Sequence, residues 1–281
     1  LPATPGVEQV QGYCYRRTST FGAEVGTIEA EVAEGKNEML LRLQLPDTSA
    51  LLQITERVRS MFDLAADPRE IASVLSGKRT MAAAVRRWPG LRVPGAWDGF
   101  ELGVRAILGQ QVSVQAATTL AGRLAKRCGT KLPAADDAGP THCFPTPHAV
   151  SKTDLSNLGL TTARIASIQR LAQLVDRGEL QLNATADPTE TRKTLLAIPG
   201  VGRWTVEYIA MRALRDPDAF PTDDLGLRKG ATPDGQPISG RQLELLAERW
   251  RPWRAYAAMY LWKQSAELGN QAKPTRKTTA A

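Results

Sequence analysis

Two adjacent aspartates, Asp223 and Asp224, follow Pro221-Thr222 in the C-terminal half of the chain and could carry out acid–base or electrostatic chemistry. An ionised carboxylate beside an electron-poor carbon stabilises positive charge on that carbon and can orient a water molecule for attack. The same pair also suits the N-cap of a helix, where a carboxylate accepts hydrogen bonds from unpaired backbone amides. The two residues alone therefore leave a catalytic role and a purely structural role open.

A proline and two glycines, at Pro199, Gly200 and Gly202, form the second chemical signal. Proline cannot extend the helix that we predict to end at Ile198, and glycine tolerates positive φ and close backbone approach. The next helix is predicted to begin near Arg203, and its first amides lack helical partners. Because those amides and the helix dipole favour an anion, the turn is typical of a phosphate site. A corner that only packs two helices together is the alternative interpretation.

The elements that must position these residues are of two kinds. Residues 12–45 contain alternating or apolar runs that predict strands, and residues 47–49 precede an amphipathic helix. We expect the apolar face of that helix to contain Leu51, Leu52, Ile54, Val58 and Phe62. From about residue 68 onward the apolar spacing is helical, and no strand pattern recurs after residue 80. The sequence thus predicts a mainly α protein with a small α+β N-terminal domain.

Domain boundaries and charge divide the chain in a similar way. We place an antiparallel sheet-plus-helix domain at residues 1–80, a helical domain at 81–270 and a basic disordered tail at 271–281. Residues 1–77 hold 7 basic and 11 acidic side chains, whereas residues 78–281 hold 29 basic and 18 acidic ones. A strongly basic second part points to a polyanionic partner such as nucleic acid, although many basic surfaces bind nothing.

Composition excludes several other classes of protein. Three cysteines and two histidines are too few for a disulfide framework, a four-cysteine cluster or a separate histidine-based metal centre. The apolar run at residues 255–262 is far shorter than the ~20 residues that a membrane-spanning helix needs. The first residues do not have the pattern of a secretory signal. We therefore expect a cytoplasmic protein without a membrane partner.

Residues 195–209, which include the glycine turn, resemble the helix-hairpin-helix motif of DNA glycosylases. Residues 103–110, 143–147 and 247–257 are similar to the bacterial 3-methyladenine DNA glycosylases II of the AlkA type, and the resemblance covers most of residues 12–265. It implies the helix-hairpin-helix glycosylase fold, in which two helical subdomains flank the active-site cleft. It also implies a nucleoid-associated monomer that acts on double-stranded DNA containing alkylated bases.

The same resemblance implies a role for each candidate residue. Asp224 matches the catalytic aspartate, and Asp223 remains the helix-capping candidate. The aromatic walls of the base pocket are matched by Trp204, Tyr208 and Trp262. DNA binding is implied for Gln111, Gly200, Gly202 and Arg203. No organic cofactor is implied, but a monovalent cation is expected at the backbone carbonyls of Leu196, Ile198 and Val201.

The implied reaction is hydrolysis of the N-glycosidic bond of 3-methyladenine, 7-methylguanine and related lesions, after the base has flipped out of the duplex. Asp224 is expected to stabilise the oxocarbenium-like transition state and orient water, and Gln111 to fill the gap in the duplex. A methylated, cationic base gains ~0.5–2 kcal/mol by stacking on electron-rich rings. Related glycosylase-lyases have a lysine nucleophile at the position of Trp204, and tryptophan cannot form a Schiff base. We therefore predict a monofunctional glycosylase without strand-cleaving activity.

Three departures from the family pattern keep a second function open. Leu225 stands where an aromatic residue follows the aspartate, and Gly226 lies inside the next predicted helix at a cost of ~1 kcal/mol relative to alanine. The first strand and helix of the N-terminal domain are missing from the pattern, so we expect an exposed sheet edge. The alternative is a non-catalytic protein that binds damaged DNA or a particular DNA structure.

Overall fold

The computed structural model describes residues 2–21, 24–45, 48–77, 79–132 and 139–271. The N-terminal part is an antiparallel sheet whose strands neighbour one another in chain order, β1 (Glu8–Gln11), β2 (Cys14–Phe21), β3 (Glu24–Val32) and β4 (Met39–Gln44). The register pairs Val10 with Tyr15 and Ala30 with Leu41. The first strand begins before the stretch in which the residue pattern predicted strands.

The rest of the described chain is helical. The helices are α1 (Leu51–Met61), α2 (Pro68–Ser76), α3 (Arg79–Arg87), α4 (Gly99–Leu108), α5 (Val114–Cys128), α6 (Pro147–Lys152), α7 (Thr162–Asp176), α8 (Pro188–Leu196), α9 (Arg203–Arg212), α10 (Leu225–Gly230), α11 (Gly240–Ala247) and α12 (Arg254–Gln271). Short 3-10 turns lie at Ser156–Leu158 and Glu248–Trp250. The predicted fold class, mainly α with a small sheet-containing N-terminal domain, is confirmed.

Helix α1 packs on one face of the sheet and encloses a small core. That core consists of Ile28, Ala30, Ile54, Val58 and Trp97. The predicted apolar face was wrong for Leu51 and Leu52, which are 47% and 75% exposed. Both leucines lie in the first turn of the helix, and only the turns that carry the buried isoleucine and valine reach the sheet.

The helices after α1 form two groups with a cleft between them. In one group, α4 packs against α5, α7 and α9, while α6 packs against α7 and α8 against α9. In the other group, α12 packs against α3 and α10, and α3 packs against α2. This is the predicted arrangement of two helical subdomains.

The larger apolar core extends into α2 and α3, because Ile71, Leu75 and Met81 belong to it. The domain boundary at residue 80 stays a prediction. The predicted tail at 271–281 lies outside the described residues, apart from Gln271 at the end of α12. In the described ranges no helix is long and apolar enough to cross a membrane.

A buried carboxylate, Asp63, joins the N-terminal part to the helical part. Its side chain accepts hydrogen bonds from the Val93 amide at 3.0 Å and the Tyr256 hydroxyl at 2.9 Å, and it forms an ion pair with Arg215. Asp63 and Arg215 both have positive φ, 55° and 61°, a strained conformation for residues other than glycine. These contacts form the structural hub of the domain junction.

A second set of buried charges lies between the sheet and α4. Arg17 Nη2 donates to Glu101 Oε2 at 2.8 Å, and Arg105 Nη1 donates to Glu8 Oε2 at 2.8 Å and to Glu101 Oε1 at 3.2 Å. Burial acts to raise the pKa of Glu8, but the charges of Arg105 and Arg17, together with hydrogen bonds from Tyr15 and Thr4, hold that pKa below its ordinary value. Each arginine of this set is therefore neutralised by a carboxylate.

Candidate active site

A cavity of about 460 Å³ lies between the two helical groups. One wall comes from α4, α5 and the loop that joins them, including Arg105, Ala106, Val112 and Val114. The opposite wall and floor are formed by Trp204, Tyr208, Arg212, Asp224, Met259 and Trp262. Four of the predicted site residues, the aspartate and the three aromatic residues, thus meet in one cavity although they are up to 58 positions apart in the chain.

The Asp224 carboxylate is held by three donors. Trp204 Nε1 donates to Oδ2 at 2.8 Å, and Trp262 Nε1 donates to Oδ1 at 2.8 Å. The backbone amide of Leu227 also donates to Oδ1, at 2.9 Å, so Asp224 is the N-cap of α10. The expectation that Asp223 caps this helix was wrong, because the residue before the first helical turn is Asp224 itself.

The groups that donate hydrogen bonds to Asp224 do not neutralise its carboxylate. All three donors are neutral groups, and within the described part of the chain Asp224 forms no ion pair. Hydrogen bonds from neutral donors stabilise an ionised carboxylate without cancelling its charge. The carboxylate therefore adds a fixed negative potential to the cavity, where it can stabilise a cation.

The aromatic side chains of the cavity pack on one another. Trp204 and Tyr208, one helical turn apart on α9, stack with ring centroids 5.2 Å apart and an interplanar angle of 12°. Tyr208 and Trp262 meet edge to face at 6.4 Å. Tyr208 is buried, whereas Trp204 and Trp262 are half-buried. The two tryptophans thus present indole surface to the cavity while their N–H groups point at Asp224.

The two departures from the family pattern after Asp224 have different outcomes. Leu225 is 53% exposed and is not among the residues that line the cavity. A Cβ atom at Gly226 would lie 3.0 Å from Asp224 Oδ1 and 3.1 Å from Trp262 Cδ1. The glycine therefore leaves the space in which the indole reaches the carboxylate, a role that helix propensity alone did not indicate.

Arg212 also lines the cavity, although it is not among the residues predicted from the sequence. It follows Tyr208 by one helical turn on α9, donates to the Tyr208 hydroxyl through Nη1 and donates to the Pro94 carbonyl through Nε at 2.8 Å. The spacing of four residues that linked Trp204 to Tyr208 continues to this arginine, so the same periodicity could have identified it.

The predicted hairpin joins α8 to α9 and leads directly into the cavity wall. Gly200 has φ 84°, and a Cβ atom there would lie 2.7 Å from Ser167 Oγ, so the turn requires glycine. Gly202 is the N-cap of α9 without a side-chain cap, and the Arg203 side chain is exposed. The first amides of α9 are therefore free to meet an anion at the surface.

The loop between α4 and α5 is fastened to this hairpin. Gln110 Nε2 donates to the Gly200 carbonyl at 3.0 Å and to Thr205 Oγ1 at 2.9 Å, and Arg164 Nη2 donates to the Gln110 carbonyl at 2.6 Å. Gln111 is exposed and has φ 56°, an uncommon conformation for glutamine. The loop thus holds Gln111 at the surface, one residue before a side chain that lines the cavity.

Two family models match the chain. Residues 104–255 match the HhH-GPD superfamily of base excision DNA repair proteins, and residues 2–98 match the AlkA N-terminal domain. The hairpin, Trp204 and Asp224 all fall within the first of these matches. The chain thus belongs to the helix-hairpin-helix base excision DNA repair proteins.

Comparison with individual relatives identifies the family within this superfamily. Escherichia coli DNA-3-methyladenine glycosylase 2 is 34% identical over 266 residues, which are 92% of this chain and 89% of the relative. A Mycobacterium tuberculosis protein named probable bifunctional transcriptional activator/DNA repair enzyme AlkA is 42% identical over 277 residues, 98% of this chain and 55% of the relative. The chain belongs to the AlkA-type family of 3-methyladenine DNA glycosylases, and the predicted family is confirmed.

The length of the chain can be compared with that of a relative, and its fold with that of a solved structure. The chain spans about half the length of the Mycobacterium tuberculosis relative, 55% of it. The solved structure of a 3-methyladenine DNA-glycosylase from Archaeoglobus fulgidus superposes with a TM-score of 0.81 at 22% identity, covering 94% of this chain and 90% of that one. At this identity the likeness describes the fold. The predicted roles of the individual site residues stay predictions.

Proposed function

We propose that the chain is a monofunctional DNA glycosylase that hydrolyses the N-glycosidic bond of alkylated bases, including 3-methyladenine and 7-methylguanine, in duplex DNA. The observation that carries this proposal is the uncompensated carboxylate of Asp224, held by Trp204, Trp262 and the first turn of α10 at a cavity between two helical groups. Membership of the AlkA-type family supports the same activity.

The proposed reaction needs a flipped nucleotide, because neither the sugar nor the base can reach the cavity from within the duplex. With the base against the indoles of Trp204 and Trp262, Asp224 faces the sugar carbon C1′. As the bond from C1′ to the base breaks, the electron pair leaves with the base and positive charge develops on the sugar. Asp224 stabilises that charge and orients the water whose oxygen bonds to C1′.

DNA is the proposed partner, held by backbone contacts at the hairpin. The free amides at the start of α9 and the exposed Arg203 suit a phosphate, while Gly200 and Gly202 allow close approach of the nucleic acid backbone. Gln111, exposed on the loop that Gln110 fastens to the hairpin, is the proposed residue that fills the gap left by the extruded base. The chain acts as a monomer at the nucleoid in this proposal.

A monovalent cation at the hairpin is a further part of the proposal. The carbonyls of Leu196, Ile198 and Val201 are hard oxygen ligands of the kind that alkali cations accept. The Ile198 carbonyl accepts one hydrogen bond, from the Val201 amide at 3.0 Å, and a carbonyl oxygen has a second lone pair. When bound, the cation would add positive charge beside the phosphate, and no step of the base release passes through it.

The decisive experiment is release of 7-methylguanine from alkylated duplex DNA by Asp224→Asn, measured by mass spectrometry of the free bases. Asparagine keeps the N-cap oxygen but removes the charge, so we expect base release to fall about a thousandfold while DNA binding persists. Release at the wild-type rate would contradict the mechanism. Binding without base release by the wild-type protein would favour the non-catalytic alternative.

The monofunctional part is tested separately on a methylated plasmid. Because Trp204 stands at the position of the lyase lysine, the product is expected to be an intact strand with abasic sites that nick only after alkali. Nicking before alkali treatment would contradict this part of the proposal and leave base release itself unaffected.

A further inference from the structure

Among the described residues, the Arg212 side chain adds a positive charge to the candidate active site that no described carboxylate neutralises. Arg212 lines the cavity together with Asp224, and its contacts are to uncharged acceptors, the Pro94 carbonyl and the Tyr208 hydroxyl. Within the described residues Arg212 forms no ion pair, whereas Arg105, on the opposite wall, pairs with Glu8 and Glu101. Arg212 and Asp224 therefore place opposite uncompensated charges in one cavity.

The Arg212 contact also determines what the Tyr208 hydroxyl can do. A phenol oxygen that accepts a hydrogen bond from a guanidinium keeps its own proton for another acceptor. No described residue accepts that proton, although Tyr208 is only 6% exposed and lines the cavity. A buried donor without a protein acceptor is expected to serve a ligand. The guanidinium also strengthens the donor, because it withdraws electron density from the phenol oxygen.

Cleavage of the N-glycosidic bond changes the charge of both fragments, the sugar and the base. The electron pair of the broken bond remains on the base nitrogen, and the water that attacks C1′ forms the new C–O bond and releases a proton. A cationic methylated base leaves as a neutral molecule and the proton passes to solvent, whereas an uncharged base leaves as an anion that then takes up the proton. Only the second case needs a group that stabilises negative charge on the base.

We propose that Arg212 and Tyr208 form a donor pair that binds an acceptor atom of the flipped base and stabilises the negative charge of an uncharged leaving group. This role rests on the proposed glycosylase function and deepens it, since it makes this pair the residues that determine excision of uncharged bases. Asp224 then acts on the sugar end of the bond, and the arginine–tyrosine pair acts on the base end.

The test compares two duplexes, one with hypoxanthine, an uncharged purine with a carbonyl acceptor, and one with cationic 7-methylguanine. Tyr208→Phe removes the hydroxyl and keeps the ring, and Arg212→Gln removes the charge. In each variant, single-turnover release of hypoxanthine is expected to fall about tenfold or more further than release of 7-methylguanine. Arg212→Lys, which keeps the charge, is expected to recover part of the loss.

The matched control is Tyr256→Phe, which removes a second tyrosine hydroxyl at the same 6% exposure, in the hub with Asp63. It is expected to leave both release rates unchanged. Equal losses on both substrates in the Tyr208 and Arg212 variants would overturn the donor-pair role, as would wild-type release of 7-methylguanine without any release of hypoxanthine. Failure of the wild-type protein to release either base would instead contradict the underlying glycosylase function.

Discussion

Asp63 and Asp224 are two carboxylates that each accept three hydrogen bonds, yet their surroundings give them opposite uses. Asp63, whose side chain is 3% exposed, is paired with the Arg215 guanidinium and with donors from two distant segments. Asp224 receives only indole and amide donors and faces a cavity. The Arg215 guanidinium neutralises the charge of Asp63. The donors to Asp224 are neutral, so its charge remains available to a ligand.

The surroundings of the two carboxylates explain how one residue type serves stability in one place and chemistry in another. A buried charge that loses its counter-ion is strongly destabilising, so Asp63 binds the two parts of the chain together. Neutral donors fix the orientation of Asp224 without neutralising it, which preserves its attraction for a developing cation. The identity of the donors, and not their number, separates the two roles.

The largest expected effect on folding comes from Asp63→Asn. The variant leaves Arg215 largely buried without its carboxylate, so we expect the free energy of unfolding to fall by about 3–5 kcal/mol. Urea denaturation followed by circular dichroism measures this loss. Asp224→Asn is the matched variant and is expected to lose less than about 1 kcal/mol, since asparagine still caps α10. Equal losses in the two variants would show that Asp63 and Asp224 contribute equally to stability, which would contradict this prediction.

Trp262→Phe is expected to lower base release about tenfold, because it removes one hydrogen bond to the Asp224 carboxylate while keeping an aromatic wall. Single-turnover release of 7-methylguanine is the measurement. Trp250→Phe is the control, since the buried Trp250 indole nitrogen has no hydrogen-bond partner among the described residues. It should reduce stability by loss of packing and leave base release unchanged. A Trp262 variant with full activity would show that the indole donor is dispensable.

Gly226→Ala separates helix stability from the geometry of the site. Alanine favours a helix interior by ~1 kcal/mol, but its Cβ atom would press on Asp224 Oδ1 at 3.0 Å and on Trp262. We expect a several-fold loss of base release without loss of thermal stability. Gly269→Ala, in α12, is the control, because within the described part of the chain the new Cβ would meet no atom within 4 Å beyond the neighbouring residues and the backbone of its own helix. It should affect neither activity nor the site. Unchanged activity in Gly226→Ala would mean that the carboxylate tolerates a displaced indole.

Tyr256→Phe is expected to weaken the hub only slightly. Its hydroxyl is one of the three donors to Asp63, and the Val93 amide and Arg215 remain. Loss of this single hydrogen bond should lower the free energy of unfolding by about 1 kcal/mol. Thermal unfolding measured by calorimetry checks the value. A loss as large as that of Asp63→Asn would mean that the hydroxyl, rather than the ion pair, holds the junction.

The sequence was most informative where function depends on local structure. The positive φ of Gly200 is what a tight turn after Pro199 needs, so the hairpin could be predicted from the residues alone. The spacing of four residues between Trp204 and Tyr208 likewise places them on one helix face, and their rings stack. In each of these patterns the residues lie within a few positions of one another in the chain. The local backbone geometry therefore determines which of them are neighbours in space.

Contacts between distant segments were decided by the tertiary structure. Nothing in the sequence shows that the indoles of Trp204 and Trp262 converge on the same carboxylate, or that Gly226 makes room for one of them. The neutrality of the donors around Asp224, the lone charge of Arg212 and the pairing of Asp63 with Arg215 also depend on which segments meet. The reason is physical: a residue's type sets which bonds it can make, but packing between remote helices determines which charges find a partner and which are left for a ligand.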